Sequence, residues 1–179
     1  MKKLSLLITV LLLFSFGCSN EDVFNSESDS ISTADLKSSH GKVVHTAIAG
    51  TNDACEAFGL PNGCDGNFSL NARLYEDGTA SGEWQDTFSG GGGIHVKIDC
   101  AHFGETDGTQ WAVIAGEVTN GDPNFPGNRA VTLVVDNVFG SGVDAMSFTF
   151  PFDGDCQELD ASDFNPYYFP IGAGQVIIR

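Results

Sequence analysis

Carboxylates cluster near the C-terminus, at Asp153, Asp155, Glu158, Asp160 and Asp163. Carboxylate oxygens are ligands that Ca²⁺ prefers, but this spacing does not match the EF-hand loop. We therefore expect a solvated acidic loop, with weak calcium binding at Asp153 and Asp155 as the alternative. The sequence indicates no other metal and no other cofactor.

Aromatic residues follow in the segment 165–170, NPYYFP. A proline near each end predicts a loop, which we expect to lie over one end of a barrel. Tyr167 and Tyr168 in this loop could stack on a sugar ring or close an apolar cavity. The alternative, which the sequence favours, is that they simply plug the barrel. Together with Asp153 and Asp155, they are the candidate ligand-binding residues.

Four carboxylates fall on predicted strands: Glu83, Asp99, Glu117 and Asp136. Two of them could act as general acid and base if they faced a polar barrel interior. A charged group in a core must be paired or neutralised, so we expect these acids to point outward into solvent.

Other catalytic and metal-binding patterns receive little support. His95 and His102, seven residues apart on an alternating strand, should point to opposite faces, and we expect both on the surface. The chain has no G-x-S-x-G element. The run Gly90–Gly93 precedes a predicted strand rather than a helix, which indicates a hairpin turn and not a phosphate site.

Four cysteines follow the N-terminal region: Cys55, Cys64, Cys100 and Cys156. An even number in an exported chain indicates two disulfides, for which the sequence permits three pairings. Cys55 and Cys64 enclose a compact loop of Gly, Pro and Asn, which favours that local pair and leaves Cys100 with Cys156. The absence of a C-x-x-C pair argues against zinc.

Beyond Lys42, short segments of alternating polar and apolar residues are separated by turn residues, which is the pattern of β-strands. Asp77-Gly78 and Asp107-Gly108 supply hairpin turns. The pattern predicts one all-β domain, residues 43–179. We expect an antiparallel meander of about eight strands closed into a small β-barrel, with a β-sandwich as the alternative.

The predicted strands lie at about residues 43–49, 68–75, 80–88, 94–100, 110–119, 129–138, 146–150 and 175–179. Phe148, Phe150 and Phe152 have strand period, and we expect them in the core.

The first residues, MKKLSLLITVLLLFSFGC, have the form of a secretory signal peptide. Their apolar run, residues 4–13, is too short to cross a bilayer as a helix. Ser15-Phe16-Gly17-Cys18 resembles the lipobox of bacterial lipoproteins, which implies removal of residues 1–17 and lipidation of Cys18. Acyl chains at Cys18 would anchor the protein in a membrane. An ordinary cleaved signal is the alternative.

Residues 18–42 are acidic and rich in serine, which predicts a disordered tether after the lipidated cysteine. Ser19-Asn20-Glu21-Asp22 resembles the short acidic signal that moves some Gram-negative lipoproteins to the outer leaflet. Together these segments predict an outer-membrane lipoprotein that faces the periplasm or the cell surface.

The composition sets limits on partners. The chain has 179 residues, enough for one domain with appendages. Asp and Glu number 24 against 8 Lys and Arg, a formal net charge of −16. No basic stripe is left to neutralise phosphates, so nucleic-acid binding is excluded. The membrane is the one partner indicated, through the N-terminal lipid.

Several stretches of the folded region resemble a broad set of uncharacterised secreted bacterial β-proteins. They are Asn71–Gly82 (N-A-R-x-x-x-D-G-x-x-S-G), Ile94–Cys100, Val134–Asn137 (V-V-D-N) and Gly174–Arg179. The resemblance implies a secreted all-β domain and brings no activity or catalytic residue with it.

These observations favour a lipid-anchored β-barrel of the cell envelope or surface that binds a ligand or serves a structural role, without catalysis. The alternative is a small barrel enzyme of the isomerase or cyclase type. That enzyme would need an inward carboxylate or histidine lining a cavity of about 300 Å³ or more.

Overall fold

A computed structural model describes residues 40–52, 67–88, 92–138 and 142–179, all within one compact unit, Lys37–Arg179. The described residues form ten β-strands and two short 3₁₀-helices. None of these helices is long and apolar enough to cross a membrane. The all-β prediction is therefore confirmed.

Several predictions lie outside the described residues. They concern the signal peptide 1–17, Cys18 and nearly all of the tether, the Cys55–Cys64 pair, and the first half of the run Gly90–Gly93.

The strands are β1 (Val43–Asn52), β2 (Asn67–Tyr75), β3 (Ala80–Thr87), β4 (Gly93–Thr106), β5 (Thr109–Gly121), β6 (Arg129–Asp136), β7 (Ala145–Ser147), β8 (Phe150–Pro151), β9 (Tyr168–Pro170) and β10 (Ala173–Ile178). They form one antiparallel sheet in the order β10-β1-β2-β3-β4-β5-β6-β7-β9, with β8 also paired to β6. The sheet is a strongly curled half-barrel. A single sheet rules out the sandwich alternative.

The predicted hairpin turns are present. Asp107 and Gly108 join β4 to β5 with φ angles of 51° and 76°, the left-handed pair required by a two-residue hairpin loop. In the loop between β2 and β3, the Asp77 carboxylate accepts hydrogen bonds from the Thr79 amide at 3.0 Å and its hydroxyl at 2.6 Å. Local turn chemistry therefore fixes the register of both hairpins.

The sheet buries apolar side chains on both faces. Its concave face holds the inner core, which includes Trp84, Ile94, Ile98, Ile114 and Val134. The convex face of β4–β6 carries a second, outer core, which includes Trp111, Val113, Leu133, Cys156 and Phe164. The outer core is covered by residues 152–167, which we call the cover segment. It contains the 3₁₀-helices η1 (Cys156–Glu158) and η2 (Ala161–Phe164).

A β-bulge at Asp99 interrupts the alternation of β4. Ile98 pairs with Gly116 and Cys100 with Ala115, so Asp99 is one extra residue in the strand. Ile98 and Ala101 both lie in the inner core, while Cys100 packs against the outer core. Every residue of β4 beyond Asp99 therefore has the opposite orientation to the one that simple alternation predicts.

Two carboxylates close the gap between β10 and the β6–β7 region. Asp136 accepts a hydrogen bond from the Ile178 amide at 3.0 Å. Asp144 accepts from the Val176 amide at 2.7 Å and from the Asn137 amide at 3.1 Å. Along an edge strand, every second amide points away from the neighbouring strand. On β10, the two carboxylates accept hydrogen bonds from such amides. The prediction that Asp136 points outward is wrong.

The aromatic segments also differ from prediction. Tyr168–Pro170 form the edge strand β9 beside β7, rather than a loop over a barrel end. Phe148 is 44% exposed because the strand breaks after Ser147, whereas Phe150 and Phe152 pack against the outer core. The expected continuous strand 146–150 is divided between β7 and β8.

We predict that Asp144→Ala lowers the free energy of unfolding by about 2–3 kcal/mol, because two amides lose a charged acceptor. Asp136→Ala, which deprives one amide, should cost about half as much. Chemical denaturation measures both. Glu105→Ala, at an exposed carboxylate, is the control and should stay within about 0.5 kcal/mol. Equal stability of Asp144→Ala and the control would show that the carboxylates do not hold the gap.

Candidate functional site

A cleft of about 350 Å³ opens between the outer face of β5 and β6 and the cover segment. Its lining combines aromatic, aliphatic and polar side chains: Thr106, Thr109, Trp111, Val135, Val138, Asp160, Ala161, Ser162, Asn165 and Tyr168. The volume is at the lower end of the range found for small-molecule sites, which are also largely apolar with a few convergent polar groups.

Three links hold the cover segment to β4. The Cys100–Cys156 disulfide joins them, with Cα atoms 6.0 Å apart, as the sequence predicted. The Gln157 side chain donates to the Ala101 carbonyl at 2.8 Å, and His102 Nδ1 lies 2.7 Å from the Leu159 carbonyl oxygen. A disulfide closing a loop of this size contributes roughly 2–4 kcal/mol, so the cover segment is firmly held against β4.

The indole of Trp111 forms one wall of the cleft. It lies over Gly104, its partner residue on β4, where an added Cβ would come within 2.1 Å of the ring. Its N–H donates to the Thr106 hydroxyl at 3.1 Å, and its ring meets that of His102 edge-on at 5.2 Å. The absence of a side chain at residue 104 thus allows the indole to lie across the strand.

The opposite wall is the first turn of η2. Asp160 caps this helix, accepting from the amide and the hydroxyl of Ser162 at 2.7 and 2.5 Å. Asp163 accepts from the Asp160 amide at 2.8 Å, which completes a capping box. The hydrogen bonds from the Ser162 side chain and amide lower the pKa of Asp160, despite a small opposing effect of burial. The carboxyl group is therefore ionised in the neutral range.

Of the candidate ligand-binding residues, Tyr168 lines the cleft. Tyr167 is 54% exposed and contacts the ring of Phe150 edge-on. Asp153 is exposed, and Asp155 caps η1 by accepting from the Gln157 amide at 3.0 Å. The structure does not bring these four residues into one site.

The calcium alternative gains no support from the described residues. Among them, the single group of three side chains close enough to hold a metal is Cys100, Asp155 and Cys156. Its two sulfur atoms form the disulfide, which leaves one carboxylate.

The prediction that both histidines lie on the surface is half right. His95 is exposed, but His102 is partly buried between Trp111 and the cover segment. The bulge at Asp99 turns His102 to the outer face, the same face as His95. Glu83, Asp99 and Glu117 are exposed, as expected.

Of the polar residues of the cleft, the sequence indicated Asp160 only as part of the acidic cluster and Asn165 only as part of the segment 165–170, and it gave no signal for Ser162. The pattern of an acid three residues before Asp163 is a capping-box signal that could have located η2. The position of Trp111 could also have been inferred, because the Asp107-Gly108 turn places residue 111 opposite Gly104.

A second concavity of about 300 Å³ lies on the convex face of β1–β4, lined in part by Ile48, Ser69, Asn71, Glu83 and His95. Most of these side chains are exposed, and no segment of the described chain covers them. It offers less enclosure than the cleft under the cover segment.

The chain matches no family model, no curated protein and no solved structure. Its function must therefore be inferred from its own residues.

We predict that Gly104→Ala displaces the Trp111 indole and destabilises the fold by about 1–3 kcal/mol, because the new methyl group overlaps the ring. Denaturation monitored by tryptophan fluorescence measures both effects. Gly50→Ala is the matched control on β1, since an added Cβ there meets nothing within 4 Å. Identical spectra and stabilities for the two variants would contradict this account of the cleft wall.

Proposed function

We propose that the protein is a lipid-anchored module of the cell envelope or surface that binds a small ligand and does not catalyse a reaction. The observation that carries the binding role is the cleft between Trp111 and η2. Its walls are fixed by a disulfide and a capping box, so a ligand would meet a preformed site with little ordering cost.

The acids favour binding over catalysis. A barrel enzyme needs carboxylates free to exchange protons in its interior. On the concave side, Asp136 and Asp144 accept hydrogen bonds from backbone amides, and Asp86 accepts one from the Thr149 hydroxyl at 2.7 Å. In the cleft, Asp160 is the helix cap. The inward carboxylates therefore have structural hydrogen bonds, which weakens the isomerase or cyclase alternative.

The N-terminal sequence supports the anchor. The lipobox-like residues end at Cys18, and the first strand begins at Val43. The acidic tether between them would hold the domain away from the lipid surface, and its charge would disfavour contact with anionic headgroups. An outer-membrane location, facing the periplasm or the cell surface, agrees with these features.

We predict that the protein expressed in a Gram-negative host fractionates with the outer membrane and that Cys18→Ala releases it to the soluble fraction, because the acyl chains supply the membrane affinity. Membrane fractionation and detergent phase partition measure the change. Wild-type protein that is soluble despite export would refute the anchor. Protease treatment of intact cells distinguishes surface from periplasmic exposure.

We predict that small molecules bind in the cleft and that Ala161→Phe blocks them, because Ala161 lines the cleft and a phenyl group would fill it. Protein-observed NMR with a mixture of cationic, anionic and neutral fragments measures binding. Ala173→Phe, at an exposed position on β10, is the control. If no fragment perturbs the cleft resonances, or if Ala161→Phe binds as the wild type does, the binding role is wrong.

A further inference from the structure

We infer that the cleft selects an organic cation, an alkylammonium group with a short apolar body. This inference rests on the proposed binding function and specifies the chemical class of its ligand. It is carried by three properties of the lining: its charge, its balance of hydrogen-bond donors and acceptors, and its aromatic walls.

The charge of the lining is negative. Asp160 is its single ionisable carboxylate, and no Lys, Arg or His side chain lines the cleft. An anionic ligand would therefore be repelled by the Asp160 carboxylate, with no cationic side chain in the lining to offset the repulsion. The net charge of −16 adds a long-range field that attracts cations.

The polar groups of the lining favour a ligand that donates hydrogen bonds. The Trp111 N–H already donates a hydrogen bond to the Thr106 hydroxyl, and the Ser162 hydroxyl already donates one to Asp160. The Asp160 carboxylate accepts hydrogen bonds from the Ser162 amide and hydroxyl and from the Asp163 amide. A carboxylate has about four acceptor sites, so Asp160 can accept a further hydrogen bond from a ligand. An ammonium group has three donors and no acceptor, so it complements this carboxylate.

The aromatic and aliphatic walls suit the rest of such a ligand. Trp111 and Tyr168 line the cleft, and aromatic faces attract ammonium groups by cation–π interaction. Val135, Val138 and Ala161 supply apolar surface for a short alkyl body. A sugar would need several donors from the protein, and it would leave this apolar surface poorly matched.

The test compares four probes of similar size or defined charge: butylammonium, butyrate, 1-butanol and methyl glucoside. Each is titrated into the folded protein while amide resonances of the cleft are followed by NMR, with calcium chloride as a fifth titration. We expect butylammonium to bind most tightly and to weaken as salt is added.

Asp160→Asn is the decisive variant, because asparagine caps a helix as well as aspartate does but carries no charge. It should weaken butylammonium binding by about three- to fivefold, the upper part of the range for an exposed ion pair. Glu158→Gln removes the same charge from an exposed residue of the cover segment that does not line the cleft, and it should change binding by less than about twofold. Ala161→Phe should abolish binding.

The other outcomes separate the inference from the binding function. If butyrate, methyl glucoside or calcium binds in preference and Ala161→Phe blocks it, the cleft is a binding site but the cation inference is wrong. If butylammonium binds Asp160→Asn as tightly as the wild type, the inference is also wrong. If none of the probes shifts a cleft resonance, the inference and the binding function both fall.

Discussion

The bulge at Asp99 is the constraint on which the candidate site depends. Without the extra residue, Cys100 would face the inner core and could not reach Cys156, and His102 would turn away from Trp111 and the Leu159 carbonyl. One inserted residue thus changes the orientation of everything that follows on β4. The cover segment, the outer core and the cleft beneath it all require that change.

The cleft itself is built from pairs of residues that fix one another. Gly104 leaves room for the indole of Trp111, whose N–H is oriented by Thr106. Asp160 orders the first turn of η2. The Ser162 amide and hydroxyl in that turn donate hydrogen bonds that orient the Asp160 carboxylate. Each wall is thus held in place by contacts within the protein, which is the condition for selecting a ligand by its charge and shape.

The fold was more predictable from sequence than the site. Alternation and the Asp-Gly turns identify the hairpins because both are local signals. The face of the sheet on which His102 and Asp136 lie was not predictable in the same way. A bulge changes the face of His102, and a distant strand supplies the hydrogen-bond donor to Asp136. Pairing at the sheet's edge is also non-local, which is why the sequence predicts a loop at Tyr168–Pro170 where the structure has a strand. The Cys100–Cys156 disulfide was predictable because four cysteines allow only three pairings.

The way in which the sheet ends has a further consequence. An edge strand with free amides can recruit a strand from another molecule and start aggregation. On β10 the amides of Val176 and Ile178 are engaged by Asp144 and Asp136, and β9 ends at Pro170, which has no amide hydrogen to offer. With the proposed lipid anchor, molecules on one membrane would be crowded in two dimensions with their domains side by side. Because these edge amides are hydrogen-bonded or absent, such a layer could stay dense without strand pairing between neighbouring domains.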